Sequence, residues 1–256
     1  MAEGVDQHSG FREDPWSRLR ATVTSYLTVV YGSTAAARGE IRRLNSLHRE
    51  IQGPVRDPSA LARFGPSYTA RDPVLSLWVH ATLVDSTIVC HDAWIEPLSR
   101  QRRAQFYVET LPIARAFGVA DPHLPPDLAA FERYLDEMTA PDGPVQPSPT
   151  ARELARTILH PRLGHAIDFL PGPLRRPLGA VLDRVPSGLY DWSMWPAVGL
   201  LPPRVREGYG LEWGPPQEVV SAWLVAGWRF WRPLVPTSLR WMERSRAADR
   251  RVAAGE

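Results

Sequence analysis

DPVLSLWVHATLVDSTIV, residues 72–89, decides the fold class. Asp72 followed by Pro73 is an N-cap and first-turn pair. The carboxylate can accept a hydrogen bond from a free helical N–H, and proline at the first position lacks an N–H that would have no partner there anyway. Behind this start, Leu75, Leu77, Trp78, Ala81, Leu83, Val84, Ile88 and Val89 place apolar groups on most sides of a helix. Such a helix reads as the central, buried one of an all-α domain. His80 lies in its middle, and a buried imidazole must satisfy its two polar nitrogens with a carbonyl, a side chain or a metal.

Outward from this segment the pattern stays helical. Twenty-six prolines cut the chain into helix-sized pieces, and little of it alternates with period two. A first helix follows Asp14 and Pro15 and runs through Leu19, Val23, Tyr26, Leu27, Val30 and Tyr31 to Gly32. A second starts at Ser33-Thr34, carries Ile41, Leu44, Leu47, His48 and Ile51, and stops at Gly53-Pro54. Residues 54–72 read as loop. Ser99 caps a helix that closes at Gly118, and Pro125-Pro126 opens another through Met138. Residues 140–149, rich in proline, read as an exposed linker. Further helices are expected near 150–160, 173–185, 203–210 and 216–230, with an arginine-rich helix from Pro236 to Val252. The expected organisation is a disordered tail over 1–13, one helical domain over 14–235, and an arginine-rich C-terminal helix or tail over 236–256.

Composition removes several function classes. The net charge of +2 gives no electrostatic case for nucleic acid. All thirty Lys+Arg residues are arginine, a bias of GC-rich, for example actinobacterial, genomes. No lysine amine is therefore available as Schiff-base former, base or ligand. The single cysteine, Cys90, excludes an intrachain disulfide framework. It reads as buried mid-helix. Met1–Gly10 is polar and acidic, without the basic and apolar regions of a signal peptide, and no run of 18 apolar residues occurs. A cytoplasmic protein without a transmembrane segment is expected.

The usual catalytic templates are missing from the sequence. It has no Gly-x-Ser-x-Gly, no Gly-x-Gly-x-x-Gly, no Walker A pattern and no His-Glu-x-x-His. His8 and His123 lie in polar or proline-rich surroundings, and His160 and His165 read as caps or surface groups. His80 and His91 are eleven residues apart, on nearly one face but about three turns distant, too far to share a metal. Two histidines inside apolar helical pattern remain, His48 and His80. Each is a satisfied core histidine or a metal ligand, and periodicity does not choose between them. Arg18 and Thr22, four apart on one helical face, are a candidate pair of polar groups.

Five segments occur in a telling order: DPWSRLRATVTSYLTVVYG (14–32), RRLNSLHREIQG (42–53), YTARDPVLSLWVHATLVDSTI (68–88), PLSRQRRAQFYVET (97–110) and AFGVADPHLPPDLAAFERYLDEM (116–138). Together they resemble the oxygenase family that contains MpaB and the rubber oxygenases (latex-clearing protein). The resemblance implies a single globin-like, all-α domain around a b-type haem. It implies that His48 is the proximal iron ligand, with His80 as the alternative, and that Arg18 and Thr22 are the distal polar pair. Trp78 and His80 would border the haem pocket, and Arg42 and Arg43 would meet the propionates. The chain departs from the rubber oxygenases in three places. Ala21 stands where they carry a lysine, Asn45 where they carry an arginine, and only Glu3 or Glu13 lies upstream to stand in for their glutamate.

The resemblance therefore implies a haem b-dependent oxygenase that takes dioxygen and a small apolar, isoprenoid- or lipid-like substrate. One alternative is a haem-binding protein without turnover. Another is a lipid or membrane-surface binder acting through the tail SAWLVAGWRFWRPLVPTSLRWMERSR (221–246), which mixes aromatics with arginine. A capping helix packed on the core is the plainer reading of that tail, and the sequence does not fix the oligomeric state.

Overall fold

A computed structural model describes residues 2–8, 15–160, 164, 167, 171–186 and 190–255. Among these residues the protein is all-α. It has fourteen α-helices, and its strands are β1 (Gln52–Pro54) and β2 (Ser67–Thr69), paired antiparallel with Gly53 opposite Tyr68. The chain divides into two compact units, Thr22–Gln146 with Val225–Glu256 and Ala2–Ala21 with Pro147–Leu224. The break at 146/147 lies in the proline-rich stretch that reads as a linker, where few side chains can carry a packed core across.

In the larger unit α2 (Pro15–Tyr31, from Thr22 onward) is followed by α3 (Thr34–Glu50). Asp14, the cap expected for α2, lies outside the described residues. Gly32 makes the corner between them: a Cβ there would lie 2.3 Å from the Thr28 carbonyl oxygen, so only glycine fits. Ser33 then caps α3 by accepting from Ala36 N. The stretch 54–72 is more ordered than a loop. It holds β2, which pairs back onto β1, and α4 (Pro58–Phe64), whose Asp57-Pro58 start repeats the cap chemistry of Asp72-Pro73.

The core is built on α5 (Pro73–Trp94), capped by Asp72 as expected: its carboxylate accepts from Val74 N at 2.8 Å. α5 packs on α6 (Arg100–Ala116), and α6 packs on α7 (Leu128–Met138). Ala81, Val84 and Ile88 of α5 meet Tyr107 of α6 and Leu128 and Phe131 of α7 in one apolar cluster. Leu77, Ala114, Val119 and Leu124 form a second. α5 is long and apolar enough to cross a bilayer by length and composition. It is less enclosed than its sequence implies. Leu77, His80, Ala81, Val84 and Ile88 form one buried stripe, while Val74, Val79 and Leu83 are exposed.

Residues 140–149 are not a free linker. Arg63 donates to the carbonyls of Gly143 and Asp142, both at 2.9 Å, and Gly143 is buried where a Cβ would strike the Glu137 and Met138 carbonyls. The C-terminal segment, expected as one helix over 236–252, is α13 (Thr237–Arg240) and α14 (Glu243–Ala253) with extended backbone at Trp241 and Met242 between them. α14 is tied to α2 by Arg244 donating to Thr28 Oγ1 and Arg251 donating to the Tyr31 carbonyl, each at 2.5 Å.

The smaller unit holds α1 (Ala2–His8), α8 (Pro149–Leu159), α9 (Gly172–Leu182), α10 (Trp195–Gly199), α11 (Pro203–Tyr209) and the first part of α12 (Pro215–Trp231). α1 replaces part of the tail expected to be disordered over 1–13. It packs on α8, and Glu3 is buried there, accepting from Gln7 at 3.1 Å. Residues 9–13 lie outside the described residues. Arg206 stacks over Trp213 and donates to the Leu201 carbonyl at 2.6 Å.

Two core substitutions in the larger unit separate packing from polar satisfaction. Phe131 is almost fully buried with its ring 4.7 Å from that of Tyr107. Phe131→Ala is expected to cost about 3–5 kcal/mol through the cavity it opens. Tyr107 donates to the Pro125 carbonyl at 2.6 Å. Tyr107→Phe removes only that bond and is expected to cost about 1–2 kcal/mol. Chemical-denaturation midpoints give both values, and a Tyr107→Phe loss as large as that of Phe131→Ala would contradict this division.

Candidate functional site

His80 is 8% exposed, in the buried stripe of α5. Its Nε2 lies 3.4 Å from Thr110 Oγ1 on α6. The Thr110 hydroxyl already donates its proton to the Tyr107 carbonyl at 2.7 Å, and a carbonyl can only accept. The contact must therefore run from Nε2–H to Thr110, which leaves the lone pair of the ring on Nδ1. Burial pushes the imidazole down from 6.5 to about 4, so it is neutral near pH 7. In this arrangement His80 has the partner that a core histidine requires.

His48 lies on another helix. It is half-buried on α3, with its ring 6.1 Å from that of Phe117 at the C-terminal end of α6. Asn45, one turn earlier on the same face, donates to the Ala116 carbonyl at 2.9 Å and fixes that face against the end of α6. Thus both candidate histidines face α6, His80 at Thr110 and His48 at Phe117. Those two positions on α6 are about 10 Å apart at 1.5 Å per residue.

The other expected site residues are not all brought together. Trp78 is two positions from His80 and so stands about 200° around α5 from it. Arg42 and Arg43 stand about 120–140° around α3 from His48 by the same geometry. Arg43 is also engaged: it donates to both Glu40 oxygens, at 2.9 and 2.6 Å, and to Ser25 Oγ at 3.2 Å. The Arg43 hydrogen bond, aided by Ser25, holds the Glu40 carboxyl down to about 2, and Glu40 pushes the arginine up. Arg42 is exposed and has no ion pair among the described residues. Arg18 and Thr22 are both exposed on α2, Arg18 in the smaller unit and Thr22 in the larger.

Several further groups are now accounted for. His91 Nδ1–H donates to the Glu96 carbonyl at 2.9 Å and closes the end of α5. His160 is the C-cap residue of α8 and pairs with Asp191 at 2.8 Å. His165 and Glu13 lie outside the described residues. Cys90, expected to be buried, is exposed, because it falls on the outer side of α5. Partial burial and the nearby Asp85 carboxylate push its thiol up. Sequence reasoning missed Tyr134. Its hydroxyl is buried without a hydrogen-bond partner among the described residues, and burial pushes it up to about 12. Its place beside both apolar clusters is set by tertiary packing that no local motif announces.

Among the described residues no group of three or more His, Cys, Asp or Glu could hold a metal ion. The two candidate donors, His48 and His80, are single imidazoles set in apolar helical pattern. That set suits a metal whose other ligands come from a macrocycle, since such a metal asks the protein for one axial nitrogen.

Residues 1–235 match the catalytic domain described as "ER-bound oxygenase mpaB/B'/Rubber oxygenase". The chain belongs to this oxygenase family. It is also similar to an uncharacterized protein of Mycobacterium bovis and to one of Mycobacterium tuberculosis, each 28% identical over 223 residues, or 87% of this chain and 76% of theirs. No solved structure matches the chain. The match of this mpaB/rubber-oxygenase domain ends at 235, so α13 and α14 lie beyond it.

The His80 assignment has a pH signature in the haem-free protein. Its folded value is depressed and its unfolded value is 6.5, so the neutral ring favours the fold. The contribution is complete above pH 6.5 and is lost as pH falls from 6.5 to about 4. It is worth on the order of 3 kcal/mol. His80→Gln keeps a donor for Thr110 and removes the titration, so its stability should fall less over that window than that of the wild type. Equal slopes in the two proteins would exclude His80 as the source.

Proposed function

We propose that the chain is a haem b-dependent oxygenase that takes dioxygen and a small apolar substrate of isoprenoid or lipid character, with His48 as the proximal iron ligand. The observation that carries this reading is the oxygenase-domain match over residues 1–235. The donor chemistry of the larger unit supports it, because a haem needs one neutral protein nitrogen. His48 is preferred to His80 because, by position, it matches the proximal histidine of the rubber oxygenases, whereas His80 falls in the segment that would border the pocket.

When bound, the haem would supply the redox chemistry with dioxygen. The roles left to the chain are binding, orientation and exclusion of water. Asn45 fixes the face of α3 that carries His48, and Phe117 offers that imidazole an apolar wall. Arg42 is the proposed partner for a propionate. Arg43 would first have to release Glu40, a paired carboxylate that competes with any propionate. Arg18 and Thr22 are the proposed donors for negative charge that develops at the reacting oxygen atoms. His80 and Trp78 are assigned to the apolar surroundings rather than to the iron.

A second reading, haem binding without turnover, is favoured by one specific observation. Ala21 provides neither the charge nor the reach of the lysine that rubber oxygenases carry beside the matched threonine. Oxygen uptake with terpene and lipid substrates separates the two readings.

Protein purified from cells with ample haem should be red-brown and show a Soret band. His48→Ala should remove or shift the band, whereas His80→Gln should retain it. A colourless wild type under haem supply overturns the proposal, and loss of the band only in the His80 variant would transfer the ligand role.

A further inference from the structure

The end of α12 and the segment after it invert the usual arrangement of a protein surface. Phe230 is 70% exposed, Trp231 59%, Leu234 69% and Leu239 77%. Trp241 and Met242 are also exposed. The rings of Phe230 and Trp231 meet edge to face with centroids 5.1 Å apart, so they present one joined apolar surface. Scattered exposed apolar residues need no explanation, but a contiguous aromatic and aliphatic run does.

Three arginines of this region, Arg229, Arg244 and Arg251, point the other way. Arg229 donates inward to the Asp92 carbonyl at the end of α5, at 2.5 Å. Arg244 and Arg251 hold α14 to α2. The run from Phe230 to Met242 is thus anchored on both sides within the larger unit, and it holds its apolar side chains outward. A capping helix packed on the core, the plainer sequence reading, would have buried them.

Charge selects the occupant. Residues 225–242 contain three arginines, Arg229, Arg232 and Arg240, and no acid. Among the described residues the Arg232 guanidinium has no hydrogen-bond or ion-pair partner, its carbonyl alone accepting from Val235 N, and it lies between Trp231 and Leu234. Aromatics that insert at the level of lipid headgroups, with cations beside them, are the composition of a peripheral membrane contact. A cationic surface of this kind prefers anionic lipid. Part of the run, from 236 onward, lies beyond the oxygenase domain match.

We propose that Phe230, Trp231, Leu234 and Leu239 dock the protein on an anionic lipid bilayer, with Arg232 at the headgroup phosphates. The docking needs neither haem nor turnover, so it stands apart from the oxygenase reading.

The test is co-sedimentation of the full chain with vesicles of phosphatidylglycerol and phosphatidylcholine, against phosphatidylcholine alone. The bound fraction should be about tenfold higher on the anionic vesicles at low salt and should fall as salt rises. Phe230→Ser, Leu234→Ser and Leu239→Ser combined should lower it by about tenfold, with an unchanged denaturation midpoint, because the three side chains are exposed. Arg232→Glu, as a milder single variant, should remove the preference for anionic vesicles. No sedimentation of the wild type, or equal sedimentation of the wild type and the triple variant, overturns the proposal. So does a wild-type dimer in light scattering that the triple variant converts to monomer, since the surface would then belong to a second copy of the chain.

Discussion

An imidazole in the middle of an apolar helix sets the terms for the larger unit. α5 is apolar enough for its burial to favour folding, but His80 in its buried stripe requires a hydrogen-bond partner at the same depth. Thr110 supplies it from α6, and the proton of Thr110 is directed in turn to the Tyr107 carbonyl. Tyr107 also anchors the chain ahead of α7 through Pro125. A short polar relay therefore fixes the rotation of α5 against α6, while the apolar cluster around Ala81 and Phe131 supplies the adhesion.

Much of the fold was legible because its signals are local. Ser33, Asp72 and Ser99 cap the helices that their positions announce, each by accepting from a backbone N–H within the first turn. The same Asp-Pro signal at 57–58 marks α4 and could have been read, since it repeats the one at 72–73. The β1–β2 pair was less accessible. Three-residue strands have too few positions to show alternation, and only the pairing across α4 makes them strands. The division into two units follows from which helices pack together, and periodicity does not report that.

The candidate site shows the same boundary. That His48 and His80 lie inside apolar pattern is a property of spacing. That His80 meets a hydroxyl depends on Thr110, thirty residues away. The capture of Arg43 by Glu40 was within reach of the sequence, since an acid three residues ahead of an arginine on a helix is a neighbour. The separation of Trp78 from His80 was also within reach, from helical geometry alone. Family resemblance supplied the roles, which neither spacing nor helical geometry could have assigned.

The corner at Gly32 has a bearing on chemistry that takes place far from it. A side chain there would overlap the Thr28 carbonyl, so any replacement must be relieved by a backbone shift at the corner between α2 and α3. α3 is a rigid lever that starts at this corner, and the proposed iron ligand is near its far end, so a small rotation at the pivot becomes a larger displacement of the ring. A residue with no side chain thereby acts as the alignment pin of the proposed ligand, and the tolerance for error at the imidazole is set by the absence of a methyl group at the bend.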